Sequence, residues 1–138
     1  MPAKGSAEWK GDLRSGAGTF TAGDTISGGY TFKSRFEDGP GSNPEQLIAA
    51  AHAACFSMAL SAQLGEAKLT PESISTTATL TMEKLDTGWT ITAVHLDVVG
   101  KVPGATPEAF NTATQNAKAG CPVSKVLNAK ITMDAKLG

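Results

Sequence analysis

Between Gln46 and Gly65 the chain carries no Asp, Glu, Lys or Arg. An uncharged run of this length has to be covered over much of its surface, by protein or by lipid. Seven of its residues are alanine, and His52, Ser57, Ser61 and Gln63 interrupt it. Its tendency to enter a bilayer is therefore far below that of Leu/Ile/Val-rich spans. A helix buried in protein is the expectation. The preceding DGPGSNPEQL supplies the start: Asn43 can cap, Pro44 fits the first helical position, and Gln46 stands three residues after the cap. The helix is expected to run through about Leu64 and stop near Gly65.

The rest of the chain must supply that cover. Up to about residue 40, glycine-rich patches such as GTFTA and GGYTFKSRF read as short strands joined by turns, with Arg35 between strand and loop. After the helix, Ile74, Ala78, Leu80 and Met82 share one face of a strand. In the next segment Trp89, Ile91 and Ala93 give way to Val94, Leu96 and Val98, a phase change that marks a bulge. Asp86-Thr87-Gly88 is the hairpin loop between them. Residues 107 to 119 suit a helix ended by Gly120, a short helix PVSKVL follows, and Ile131, Met133, Ala135 and Leu137 alternate in a closing strand. The class is α+β, and 138 residues suit one domain, 1–138.

Composition narrows the function. A net charge of −1 gives no electrostatic case for nucleic acid or an anionic membrane surface. MPAKGSAEWKGD has no signal-peptide character, so a cytoplasmic chain with reduced thiols is expected. The two cysteines form no Cys-x-x-Cys pair, and with only His52 and His95 besides, no structural zinc site is expected. No cofactor or metal is suggested.

Cys55 lies on a helical stripe with Leu47, Ala51, Met58 and Ala62, where a cysteine can simply be a small apolar filler. Cys121, in AGCPVSKVL, falls where one helix ends and another begins. Free backbone amides there stabilise a thiolate, so local electrostatics favour Cys121 as the nucleophile. A thiol in mid-helix needs a cation brought to it. The chain has only two arginines, Arg14 and Arg35. Arg35 cannot lose its proton, and Glu45, in the first helical turn, is its natural carboxylate partner. Glu45 could equally be there to complement the helix dipole.

SRFEDGPGSNPEQLIAAAHAACFSMAL together with KAGCPVSKVL resembles the osmotically inducible protein C / organic hydroperoxide resistance (OsmC/Ohr) family, most closely its OsmC branch. The likeness extends over essentially the whole chain. It implies antiparallel sheets wrapped around a long buried central helix, in an intertwined homodimer with two active sites at the interface. It also implies thiol-dependent reduction of organic hydroperoxides, with Cys55 as the attacking (peroxidatic) thiol, Cys121 as the resolving thiol, Arg35 as activator and Glu45 as its orienting partner. The resemblance thus reverses the order that electrostatics gave the two thiols. A dithiol or lipoyl-type reductant would close the cycle. Phe36, Phe56 and Met58 are candidates for an apolar substrate pocket, with ordinary core packing as the alternative for each.

Ten residues on one helix separate Glu45 from Cys55, about 15 Å along the axis at about 1.5 Å per residue. An arginine paired with Glu45 can hardly also reach Cys55 on the same straight helix. Two such helices packed antiparallel about a two-fold axis would bring one chain's Arg35 and Glu45 to the other's Cys55 and Cys121. Two other readings compete: a cysteine–histidine hydrolase using His52, three residues before Cys55, and a non-catalytic stress or redox-sensing dimer.

Overall fold

The structure, a computed structural model, describes every residue from Met1 to Gly138. The chain divides into two compact units, Met1–Leu47 and Ile48–Gly138.

In the first unit, strands β1 (Gly5–Lys10), β2 (Ala17–Ala22) and β3 (Ile26–Tyr30) form an antiparallel sheet in that order. Trp9, Gly18 and Tyr30 stand side by side across it. Gly18 is required there, since a Cβ would come within 2.6 Å of the Tyr30 ring and 2.7 Å of the Trp9 ring. With the glycine, the two rings close over the strand at 5.4 Å between centroids. The strand expected to continue through SRF stops at Tyr30 and gives way to a short helix, α1 (Phe32–Phe36). Thr31 forces the change: its hydroxyl accepts from the Ser34 amide while the Ser34 hydroxyl accepts from the Thr31 amide. Arg35 is therefore helical, not a strand-to-loop residue.

Helix α2 runs Pro44–Glu66, close to the expected bounds. Asn43 Oδ1 accepts from the Gln46 amide at 2.8 Å, the predicted cap. By length and composition alone α2 could cross a membrane. Its i, i+4 row of His52, Phe56, Leu60 and Leu64 is fully buried in the second unit, however. The stripe carrying Cys55 is the opposite case. Ala51, Met58 and Ala62 are exposed and Cys55 is partly so, leaving the helix covered on one side only.

The second unit packs α2 onto a three-stranded sheet of order β4 (Ser73–Leu85), β5 (Gly88–Lys101) and β6 (Lys130–Leu137). The expected phase change is a bulge: Thr81 pairs with Ala93 but Met82 with Ile91, so Thr92 is the extra residue. From there Val94, Leu96 and Val98 point into the core. Strands β4 and β5 are antiparallel, but β6 pairs parallel to β5, where antiparallel pairing was expected. The cause is the crossover through α3 (Pro107–Gly120) and α4 (Pro122–Val126), which returns the chain in the β5 direction. Phe110, Ala113 and Ala117 of α3 complete the core with the α2 row.

Gly100 marks how tightly that core closes. A Cβ there would sit 2.6 Å from the Phe110 ring. Gly100→Ala is expected to lower stability by about 1–3 kcal/mol through overpacking. Urea denaturation would show this as a lower midpoint at unchanged slope.

Candidate active site

In the first unit Arg35 Nε donates to Glu45 Oε1 at 2.7 Å. The pair is set by backbone ties. Buried Ser34 donates its hydroxyl to the Ser42 carbonyl at 2.8 Å, and Asn43 Nδ2 donates to the Ser34 carbonyl at 2.8 Å. These lash α1 to the start of α2, within three residues of each partner. The Glu45 side chain keeps only 12% of its exposure, which favours a fixed bond over a solvated one. The Arg35 guanidinium also lies 5.2 Å from the Phe36 ring centre. Beside it opens a cavity of about 230 Å³ lined by Trp9, Leu13, Tyr30, Thr31, Phe32, Arg35 and Phe36. Its lining is mostly apolar and includes the Arg35 side chain, so it can take an organic group next to a cation.

In the second unit Cys55 and Cys121, 66 residues apart, bring their sulfurs to 2.8 Å, both as free cysteines. Cys55 sits in mid-α2; Cys121 is fully buried at the α3–α4 junction. Burial pushes the Cys55 thiol up, the bond and charge of Cys121 add to this, and only the Val123 amide works downward. The net result lies above the ordinary value. Burial also pushes Cys121 up, but Cys55, the Ser124 amide and hydroxyl, and the Val123 amide more than offset it. Neither backbone amide makes a well-aligned cap bond to the sulfur; the groups act together. Cys121 is thus the more acidic thiol within the chain, in the order that local electrostatics predicted.

Residues 37–136 match the family model described as OsmC-like protein. The chain belongs to the OsmC-like protein family. Peroxiredoxin OsmC of Escherichia coli (strain K12) is 52% identical over 136 residues, spanning 97% of this chain and 95% of that one. Organic hydroperoxide resistance protein-like 2 of Staphylococcus saprophyticus is 37% identical over 99 residues, 70% of this chain and 67% of its own. The solved structure of the organic hydroperoxide resistance protein OhrB of Bacillus subtilis superposes with a TM-score of 0.76 at 25% identity, over 99% of this chain and 98% of that one.

The three pocket candidates separate. Phe36 lines the cavity in the first unit. Phe56 is 0% exposed in the core, so it serves packing and not a substrate entrance. Met58 is 78% exposed on α2. Sequence reasoning missed the cavity itself. Its signal was the aromatic set Trp9, Tyr30 and Phe32 beside glycine-rich strands. His52 does not serve Cys55 either: Nε2 lies 2.8 Å from Ser124 Oγ and Nδ1 has no partner. The one grouping of metal-ligand type is on the exposed face of β5 and β6. There His95 Nε2 stands 3.3 Å from Asp97 and 3.2 Å from Asp134.

Proposed function

We propose that this chain is a thiol-dependent peroxidase that reduces organic hydroperoxides to alcohols. The approach of two free thiols, Cys55 and Cys121, to 2.8 Å carries the reading. A Cys55 thiolate attacks the distal oxygen of ROOH; the O–O bond breaks, RO⁻ leaves and takes a proton, and Cys55 becomes a sulfenic acid. Cys121 attacks that sulfur, the S–O bond breaks, and a disulfide and water result. A dithiol or lipoyl-type reductant restores both thiols. The apolar cavity ending at Arg35 suits an organic R group over hydrogen peroxide.

Within the chain, Cys55 is raised and no cation works against this. In this reading the missing cation is Arg35 of a second copy. Helix α2 is unbroken from Pro44 to Glu66, so Glu45 and Cys55 lie about 15 Å apart along it. Its uncovered face offers small Ala51 and Ala62 for close helix approach and the apolar Met58 for burial. An antiparallel pairing of two α2 helices about a two-fold axis buries that face and builds two shared sites in an intertwined homodimer. The reading takes 1–138 as one domain, working in the cytoplasm without metal or cofactor.

Turnover of tert-butyl or cumene hydroperoxide with a dithiol reductant tests it, with hydrogen peroxide as the poorer substrate. A protein that consumes neither peroxide would favour the non-catalytic redox-sensing dimer. The cysteine–histidine hydrolase is disfavoured because neither ring nitrogen of His52 bonds Cys55: Nε2 is taken by Ser124 and Nδ1 has no partner.

A further inference from the structure

Buried beside the thiols is a titratable group that the peroxidase chemistry leaves unused. His52 is 0% exposed, with Nε2 held 2.8 Å from Ser124 Oγ and Nδ1 without a partner. An unpaired N–H is far rarer in a protein interior than an unpaired acceptor. The ring proton therefore belongs on Nε2, where it donates to Ser124 Oγ, and Nδ1 is a bare lone pair. This also disposes of a serine–histidine nucleophile. With the histidine donating, Ser124 is not being deprotonated, and no carboxylate orients the ring. Burial lowers the His52 pKa, so it stays neutral and a donor at one nitrogen only.

Ser124, only 8% exposed, stands three residues after Cys121, one turn on in α4. Its oxygen is occupied as acceptor by His52, which leaves its own hydrogen free. Cys121 is the N-cap of α4 and Ser124 the third residue after it, the position from which a side chain reaches back to the cap, and the serine works to lower the Cys121 thiol. We propose that His52 and Ser124 form a hydrogen-bond donor chain, Nε2–H to Oγ and Oγ–H to Cys121 Sγ, that holds the second thiol as the anion which attacks oxidised Cys55. Donor chains of this kind polarise one another, so His52 strengthens the bond that Ser124 makes. His52 is a positioning residue: it acts on the sulfur only through the serine. The proton lost by Cys121 goes to solvent, and the hydroxide expelled from the Cys55 sulfenic acid takes one back, so the step releases water. The other titratable group against Cys121 is Cys55; Lys118 and Lys125 on the flanking helices point at least partly to solvent.

Only the identity of the electrophile rests on the peroxidase reading, and the test separates the two. In full-length Cys55→Ser protein, Cys121 is the sole thiol, and its ultraviolet thiolate absorbance against pH gives its midpoint directly. Adding Ser124→Ala is expected to raise the midpoint by about one unit, the scale of a lost hydrogen bond to a charge. Ser124→Thr, which keeps the hydroxyl, should leave it in place. His52→Phe should raise it by less, and His52→Gln, which keeps a donor, should restore it. On a Ser124→Ala background neither His52 change should move it further. An unmoved midpoint in Ser124→Ala, which removes only an oxygen and needs no refolded core, overturns the proposal. So does a His52 effect that persists without the serine. In the two-thiol protein, dimedone should trap Cys55 sulfenic acid about tenfold longer in Ser124→Ala, the same unit of thiolate fraction at neutral pH. If no sulfenic acid forms at all, the peroxidase reading fails while the absorbance titration still decides the donor chain.

Discussion

Cys55→Ser is expected to reduce hydroperoxide consumption to the uncatalysed rate, because the proposed mechanism gives the attack on the distal oxygen to Cys55 and leaves Cys121 to resolve. Cys121→Ser gives a different failure. Its Cys55 still attacks, so one equivalent of peroxide per chain is consumed in a burst, and turnover with a dithiol reductant then falls. With no neighbouring thiol at 2.8 Å to condense with it, the sulfenic acid is left open to further peroxide and reaches the sulfinic state. Mass spectrometry distinguishes the cases: two added oxygens on Cys55 in Cys121→Ser, against an internal disulfide in the wild type. The opposite pattern, a burst in Cys55→Ser and none in Cys121→Ser, would restore the order that local electrostatics favours and make Cys121 the attacking thiol. That outcome has physical weight, since Cys121 is the thiol whose surroundings lower it.

Arg35→Ala carries the second large effect. The raised Cys55 thiol has only the Val123 amide working in its favour. In the proposed shared site, its fraction as thiolate near neutral pH would depend on the guanidinium that the second copy adds. Removing one preorganised charge from a developing oxyanion costs about 10²–10³ in rate. A drop of that size in kcat/KM is expected for tert-butyl hydroperoxide. The sign of the pH dependence follows from the thiolate requirement: the variant should recover activity as pH rises, with the ascending limb displaced to the alkaline side. Arg35→Lys should recover little, because the Nε contact that seats the side chain on Glu45 is lost. Glu45→Gln should fall between wild type and Arg35→Ala, since the arginine remains but is less fixed. An Arg35→Ala enzyme with an unshifted profile would mean that another group ionises Cys55.

Legibility in the sequence followed the range of each interaction. The α2 bounds could be read because cap, proline and uncharged run lie within a few residues of one another. The β5 bulge was visible as a break in alternation between Ile91 and Val94, and the structure places its extra residue at Thr92. Helix α1 escaped notice because Phe32, Ser34 and Phe36 also fit a strand period, and the deciding signal was a pair of hydroxyls, Thr31 and Ser34, bonding each other's amides. The parallel seating of β6 escaped too, because alternation records which face a residue takes and not the direction of its neighbour. Of the site, charge types left Glu45 open between pairing with Arg35 and complementing the helix dipole, and it was the family resemblance that pointed to the bond the structure contains. The meeting of Cys55 and Cys121 came from the family resemblance, and no local pattern implied it. The bond between His52 and Ser124 spans 72 residues and had no sequence signature beyond a lone polar ring on an alanine-rich face.

The central claim is that Cys55 is activated by an arginine from another copy of the chain, and subunit mixing tests it most directly. Cys55→Ser and Arg35→Ala proteins, each nearly inactive, are unfolded together at equal concentration and refolded. A hybrid dimer then holds one site with both Arg35 and Cys55 and one site with neither. Random pairing makes half of the dimers hybrid, each with one working site, so about a quarter of the wild-type activity should return. Parents refolded separately and then combined without exchange should show none of this gain. Activity that stays at the level of the parents, while hybrids are demonstrably present, would contradict the account and place Arg35 and Cys55 of each site in a single chain.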